Sequence, residues 1–541
     1  MKKTIILGFI LGFIMQSQAQ YISSVTYPDS TESVNMDDNN PAVMLARDIT
    51  ADDLRKHLTI LASDEFEGRE TGEEGNNKAA AYILDHFKNI GIKPVEGLKD
   101  GYYQPVAFTF ESWKTAEMNL NGQRYRHLWD FLAFQNQNKD IGTVNMDEIV
   151  FMGYGIDDEK YSDYKRKRVK GKNILIYAGE PMDSDGNSRI TGSSTKSAWS
   201  EDPLKKLEAA MENGVNTVFI ISDDIKKMLS ENRRQLLGSK VSLGDISERP
   251  DYPTSVYIST TIAKEIMGGK VKKVIRSRDR ITKRGKLRKV KLKTDMALTL
   301  DKNVVSIEGQ NVLGYIEGTD KKDELVIMSA HYDHLGKRGE SIYNGADDNG
   351  SGTTTVIEIA QAFADGVKQG IRPRRSMLFL LVTGEEKGLL GSQFYAERPI
   401  FPLEKTMVDI NVDMVGRVDA KYESNPNYIY VIGSDRLSTD LHKINESVNQ
   451  EFTQLTMDYT YNSETDPNRY YYRSDHYNFA KNGIPAIFFF NGTHADYHQA
   501  SDTVEKINFD KMAFVAKHIF HLAYELANRD EMIEVDGVVK D

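Results

Sequence analysis

Five short segments in the C-terminal half of the chain concentrate side chains able to hold metal ions or move protons. They are Ala330-His331-Tyr332-Asp333-His334, the Gly-rich stretch Asn344-Gly345-Ala346-Asp347-Asp348-Asn349-Gly350-Ser351-Gly352, Thr383-Gly384-Glu385-Glu386, Asp413-Met414-Val415-Gly416, and Asn491-Gly492-Thr493-His494-Ala495-Asp496-Tyr497-His498. Each alone has a plain structural reading: a His-x-Asp is commonly a surface pair, a Glu-Glu is commonly solvated, and Asp-Asp-Asn-Gly-Ser-Gly serves as a turn that caps a helix. Together they suit a pair of divalent cations. Two such ions about 3.5–4 Å apart repel, so they need a bridging carboxylate and further anionic ligands. One His and one carboxylate can complete each ion, leaving room for a bridging water whose pKa falls toward ~7. A carboxylate outside the coordination must then take that water's proton. Adjacent glutamates suit this division, because successive loop residues point different ways.

The elements that must position these segments are legible as an alternation of apolar strands and amphipathic helices. Strands are expected at Leu325–Ser329, Met377–Val382, Met407–Val412, Tyr428–Ile432 and Pro485–Phe490, with helices near Gly352–Ala364, Leu389–Glu397, Thr439–Glu451 and Phe509–Leu526. Continuous apolar strands between helices indicate an α/β fold: a mainly parallel mixed sheet sandwiched by helices. In such sheets ligands bind at the carboxyl ends of the strands, and four of the five segments directly follow a strand.

Further toward the N-terminus, a Thr50 cap and Leu54, Leu58 and Leu61 predict one helix, and Ala80, Ile83, Leu84 and Phe87 predict another over Asn76–Ile90. From Glu148 the texture changes to short β-rich runs, Ile149–Met152, Ile174–Tyr177, Val218–Ile221 and Ser255–Ile258, with a helix Leu204–Asn213 among them. We expect a small inserted module here. It ends in a run dense in Lys and Arg over 270–293, for which a nucleic-acid or polyanion patch is the alternative to the favoured reading, a solvated, partly alternating β-ribbon, because no aromatic is interleaved for base stacking and the rest of the chain is acidic. The expected boundaries are 1–19 signal peptide, 20–44 exposed lead-in, 45–144 N-terminal part of the main domain, 145–294 insert with basic ribbon, 295–530 main domain and 531–541 tail.

Met1-Lys2-Lys3, the apolar run Ile5–Met15 and Ser17-Gln18-Ala19 have the form of a secretory signal peptide, too short to span a bilayer. The expected location is therefore exported, periplasmic or extracellular, with no membrane span. The chain contains no Cys, which excludes disulfides, thiolate metal sites and a cysteine nucleophile. Lys and Arg number 69 against 80 Asp and Glu, a net charge of −11, so the surface as a whole does not favour nucleic acid or anionic lipid. No phosphate-binding Gly-Lys-Ser/Thr, His-Glu-x-x-His or Gly-x-Ser-x-Gly motif is present. Asn491-Gly492-Thr493 is a formal glycosylation sequon beside the candidate site.

The five motifs resemble those of peptidase family M-twenty-eight, the co-catalytic di-zinc exopeptidases, over about 45–140 and 295–530, and 145–270 resembles the protease-associated (PA) module often inserted there. The resemblance implies the zinc exopeptidase fold and two Zn2+ per subunit, other divalent metals being possible. It implies metal ligation by His331, Asp347 as the bridging carboxylate, Glu386, Asp413 and His498. It implies that Glu385 is the general base, that Asp333 orients His331, that Asp348 shapes the turn and that Tyr497 is an oxyanion donor. His334, His476 and His494 take no metal role in that pattern. The implied activity is a secreted aminopeptidase acting on peptide substrates, with a carboxypeptidase or dipeptidase, a glutaminyl cyclase, or a non-catalytic peptide-binding protein as alternatives.

Overall fold

One long strand, Val290–Ile316, is shared by the strands on either side of it and joins them into one continuous sheet. The computed structural model describes residues 39–233, 236, 240–244 and 250–539. The expected signal peptide and most of the expected lead-in lie outside the described residues.

In the larger unit the strand order is Thr456–Asp458, Tyr428–Ile432, Ala486–Phe490, Thr406–Val412, Lys321–His331, Arg375–Val382 and Val290–Ile316. Pairing is parallel from Ala486–Phe490 through Arg375–Val382, and antiparallel where Tyr428–Ile432 and Val290–Ile316 join. The central strands are buried on both faces, which is why they read as unbroken apolar runs. Helices Ala51–Leu61, Glu74–Ile90, Gly352–Lys368 and Phe509–Asn528 cover one face, where Leu58, Phe87, Phe363 and Phe520 share a core with Phe379 and Val412. The Thr50 side chain accepts the N–H of Asp53 at 3.1 Å, as its capping position predicts. Helices Leu390–Glu397 and His476–Ala480 cover the other face through Tyr395 and Phe479.

The second unit has its own core, running from Met118 to Leu300. Strands Gly142–Phe151, Asn173–Tyr177, Thr217–Ser222 and Thr254–Ser259 pair in parallel, and Val290–Ile316 pairs antiparallel with the first of them. The insert therefore begins earlier than 145. Its boundary was hidden because Tyr103–Leu120 and Val290–Ile316 are single strands that run through both units as an antiparallel ladder.

Two other expectations are corrected. The basic run is a helix, Val271–Arg284, that buries Val274, Ser277 and Ile281; only after Gly285 does the chain become extended. Its apolar residues recur at helical spacing, a period masked by the density of cations. Pro41–Ala46, a helix that starts inside the expected exposed lead-in and runs past its end at 44, buries Ala42 and Val43. The tail is also anchored, with Ile533 buried and Asp536 accepting the N–H of Thr439 at 2.9 Å.

Among the described residues no helix is long and apolar enough to cross a membrane.

Candidate metal and active site

Strand Lys321–His331 delivers His331, fully buried, to the carboxyl edge of the sheet. Its Nε2 lies 3.5 Å from Asp348 Oδ1, 3.5 Å from Asp413 Oδ1 and 3.8 Å from Glu385 Oε2. A second group adjoins it. Glu386 Oε1 is 2.9 Å from His334 Nδ1 and 3.4 Å from His498 Nε2, and Asp348 Oδ2 is 3.0 Å from His498 Nε2 and 3.9 Å from His334 Nδ1. The two carboxylate oxygens of Asp348 thus face different histidine groups.

Asp347 does not lie between them, which corrects the expected bridge. Its Oδ1 accepts the Gly416 N–H at 2.7 Å and the Ser351 hydroxyl at 3.0 Å, while Oδ2 faces Asn491 Nδ2 and His494 Nε2, each at 3.1 Å. The reason is local. Side chains at 347, 349 and 351 turn one way and tie down the loop after strand Thr406–Val412: Asn349 donates to Val412 O at 2.9 Å and accepts the Met414 N–H at 3.1 Å, and Ser351 Oγ accepts the Val415 N–H at 2.9 Å. Asp348, between them, is left facing the site. Asp502 Oδ2 fixes this turn by accepting the N–H groups of Asp347 and Asp348 at 3.0 and 3.1 Å. Gly345 has φ +54, and a Cβ there would meet Asp348 O at 2.1 Å, so the turn has no room for a side chain at that position.

Asp333 also acts differently from expectation. His331 Nδ1 is 3.1 Å from the Asp333 backbone oxygen but 3.7 Å from its carboxylate, which is beyond hydrogen-bond range. The carboxylate instead accepts the Thr71 hydroxyl at 2.8 Å and the Glu385 N–H at 3.2 Å, linking the loop of His331 to that of Glu385. Asp413 Oδ2 accepts the Ser474 hydroxyl at 2.6 Å. Arg69, fully buried, donates to the backbone oxygens of Tyr332, Asn344 and Gly345 and so joins the first two loops. Tyr497 stacks on His498, ring centroids 3.9 Å apart, and its hydroxyl receives Arg473 Nη2 at 3.3 Å. Asn491 of the formal sequon is buried against Asp347.

His331, Asp348, Glu385, Asp413, Tyr497 and His498 face a cavity of about 40 Å³. Met414, Tyr470, Phe488 and Phe490 line its apolar wall, and Arg473 stands at its rim. Burial drives Glu385 well above the ordinary glutamate range, with His331 opposing and Glu386 adding to the shift. Burial would raise Glu386 too, but the neighbouring His334 and His498 outweigh it and hold it well below that range. Burial pulls His498 down, and Asp348 and Glu386 overcome it, raising the ring to about 10.

Both ring nitrogens of His334, Asp348 Oδ2 and Glu386 Oε1 are buried and make no hydrogen bond. Unpaired buried polar atoms are costly, and imidazole nitrogens facing carboxylate oxygens form a donor set suited to Zn2+. His331, Glu385 and Asp413 form one group able to hold an ion, and His334, Asp348 and Glu386 another, each with its ligand atoms within 4.8 Å of one another.

His334 is a neighbour the sequence reading set aside. Its signal was its place just beyond a strand end, three residues after His331. His476 stacks on Phe488 and His494 pairs with Asp347, both outside these groups.

Residues 311–523 match the family model described as Peptidase family M28. Over 214 residues the chain is 32% identical to a Trichophyton verrucosum protein named "Probable leucine aminopeptidase", covering 38% of this chain and 55% of that protein. A protein of the same name from Arthroderma benhamiae is 31% identical over 214 residues, with the same two shares. The chain spans about half the length of these curated relatives. Among solved structures, the aminopeptidase from Aneurinibacillus sp. strain AM-1 aligns over 92% of this chain and 98% of its own, with 19% identity and a TM-score of 0.48. The matched residues 311–523 contain all five sequence segments singled out above.

Proposed function

We propose that this chain is an exported zinc aminopeptidase that removes N-terminal residues from peptides. The observation that carries the reading is the position of Asp348 between two histidine–carboxylate groups, with Glu385 beside them in a cavity that has one apolar wall. The names of the curated relatives support the aminopeptidase activity. His331 and Asp413 would hold one ion, Glu386 and His498 the other, with Asp348 shared and His334 within reach of the second. When bound, the zinc ions polarise the scissile carbonyl and acidify water. Glu385 takes the proton from the attacking water and returns it to the leaving amine. Tyr497 donates to the oxygen on which charge develops. Met414, Tyr470, Phe488 and Phe490 receive an apolar side chain of the substrate, and the surplus of carboxylates attracts its free ammonium. The signal-peptide form of the sequence at 1–19 supports export, and the insert, PA-like in its place within the chain, stands apart from these steps.

A second reading, a carboxypeptidase or dipeptidase, is favoured by Arg473, whose guanidinium at the rim could receive a free carboxylate. Hydrolysis of short peptides free or blocked at either end, by zinc-loaded wild type and Glu385→Ala with bound metal counted in both, separates the two. Release of free N-terminal residues only, with two zincs and no activity in the variant, supports the aminopeptidase. Cleavage only next to a free C-terminus sinks it in favour of the second reading, and no cleavage by a metal-loaded wild type sinks both.

A further inference from the structure

The basic run noted in the sequence takes no part in the candidate site, and the structure gives it a definite shape. Helix Val271–Arg284 is held by Val274 and Ile281 in the core of the insert and by Ser277 Oγ, which donates to Arg288 O at 2.7 Å. Its opposite side is a ridge of exposed Lys272, Arg276 and Lys283 at helical spacing, interrupted by Asp279. Ile275, 48% exposed, stands beside this ridge.

The extended chain after Gly285 lies alongside and carries more cations. Lys289 Nζ donates to Arg168 O at 3.3 Å, which brings in the loop Lys165-Arg166-Lys167-Arg168. Glu148 accepts both Lys172 and Lys291, at 3.4 and 3.3 Å. Residues 270–293 contain thirteen Lys and Arg and a single acid, Asp279, in a chain whose net charge is −11. Such segregation costs self-repulsion, and it concentrates an attractive field for anions on one face.

We propose that this face docks the protein on the surface of an anionic lipid bilayer. The cations project from the exposed side of a helix and from the loop beside it, so several can meet a charged surface together. No Phe, Tyr or Trp occurs in 270–293 or 165–172 to stack on bases. Ile275, an apolar side chain among lysines and arginines, can enter the headgroup layer while they pair with lipid phosphates. Because the helix is already anchored in the core, binding needs no folding step.

The test is co-sedimentation of the full-length protein with vesicles of phosphatidylcholine alone, or with about 30% phosphatidylglycerol. A triple variant, Lys272→Glu, Arg276→Glu and Lys283→Glu, is compared with Lys88→Glu, Lys405→Glu and Lys443→Glu, which change the net charge equally on the other unit. We expect wild type and the second variant to bind anionic vesicles only and to dissociate as salt rises to about 0.5 M. The first variant should partition at least about tenfold less. Equal binding to neutral vesicles, no binding to anionic ones, or the same loss in both variants overturns the proposal. Retention by a DNA duplex or a sulfated polysaccharide without vesicle binding overturns it in favour of a polymer partner. Thermal unfolding and the activity of each variant confirm that the comparison is made on folded protein.

Discussion

Asp347 and Asp348 are adjacent, yet Asp347 bonds to the loop at Gly416 while Asp348 sets one oxygen 3.5 Å from His331 and the other 3.0 Å from His498. The pair therefore divides two tasks that their chemistry alone cannot tell apart. Asp348→Asn should lower kcat/KM at least about 100-fold and reduce bound zinc below two per chain. Asp347→Asn acts through the loop and should lower metal affinity by about 10–100-fold. Zinc counting by mass spectrometry against free-metal concentration checks this; equal metal loss in both variants would contradict the division.

His334 reaches Glu386 at 2.9 Å without a hydrogen bond. If it helps to hold the second ion, His334→Ala should release one zinc more readily than the other, seen as two separated steps in chelator titration. A single step at wild-type chelator concentration would leave His334 without that role.

Tyr497 lines the cavity beside Glu385 and His498. Tyr497→Phe removes only the hydroxyl, so kcat should fall by about 100-fold or more with zinc content unchanged. A change confined to KM would show that the hydroxyl positions substrate instead.

The metal-free protein should have its own pH dependence. His498 is raised to about 10 by Asp348 and Glu386, so its protonated form stabilises the fold fully below the unfolded histidine pKa of ~6.5. That stability is lost as pH rises from there through about 10. Chelated wild type should therefore lose more melting temperature over this window than chelated His498→Gln. With zinc bound the histidine must be neutral, so the wild-type loss should shrink. Identical slopes for both chelated proteins would refute the assignment.

Phe363 packs between Phe379 and Phe520, with ring centroids 6.1 and 5.1 Å away, in the core beneath the sheet. Phe363→Ala should cost about 3–5 kcal/mol of stability. Urea unfolding followed by fluorescence measures it, and zinc stoichiometry in the surviving folded fraction should be unchanged.

Read alone, the sequence determined the order of strands and helices in the larger unit, because both periodicities are local and burial on two faces leaves unbroken apolar strands. It also placed the His, Asp and Glu segments at the strand ends, since ligand-binding loops in such sheets follow parallel strands. Tertiary structure decided which member of each cluster faces the site. Asp347 and Asp348 are equivalent as letters, and only the partners waiting at Gly416, Val415 and Met414 turn one aside. His334 came within reach of Glu386 through loop packing that Arg69 secures from a distant segment. That the core of the insert takes in residues before 145 was hidden because a strand shared by two units carries no break in its own pattern. The basic helix was hidden because Val274, Ser277 and Ile281 acquire their meaning only from the core they enter, while the cations between them dominate the composition.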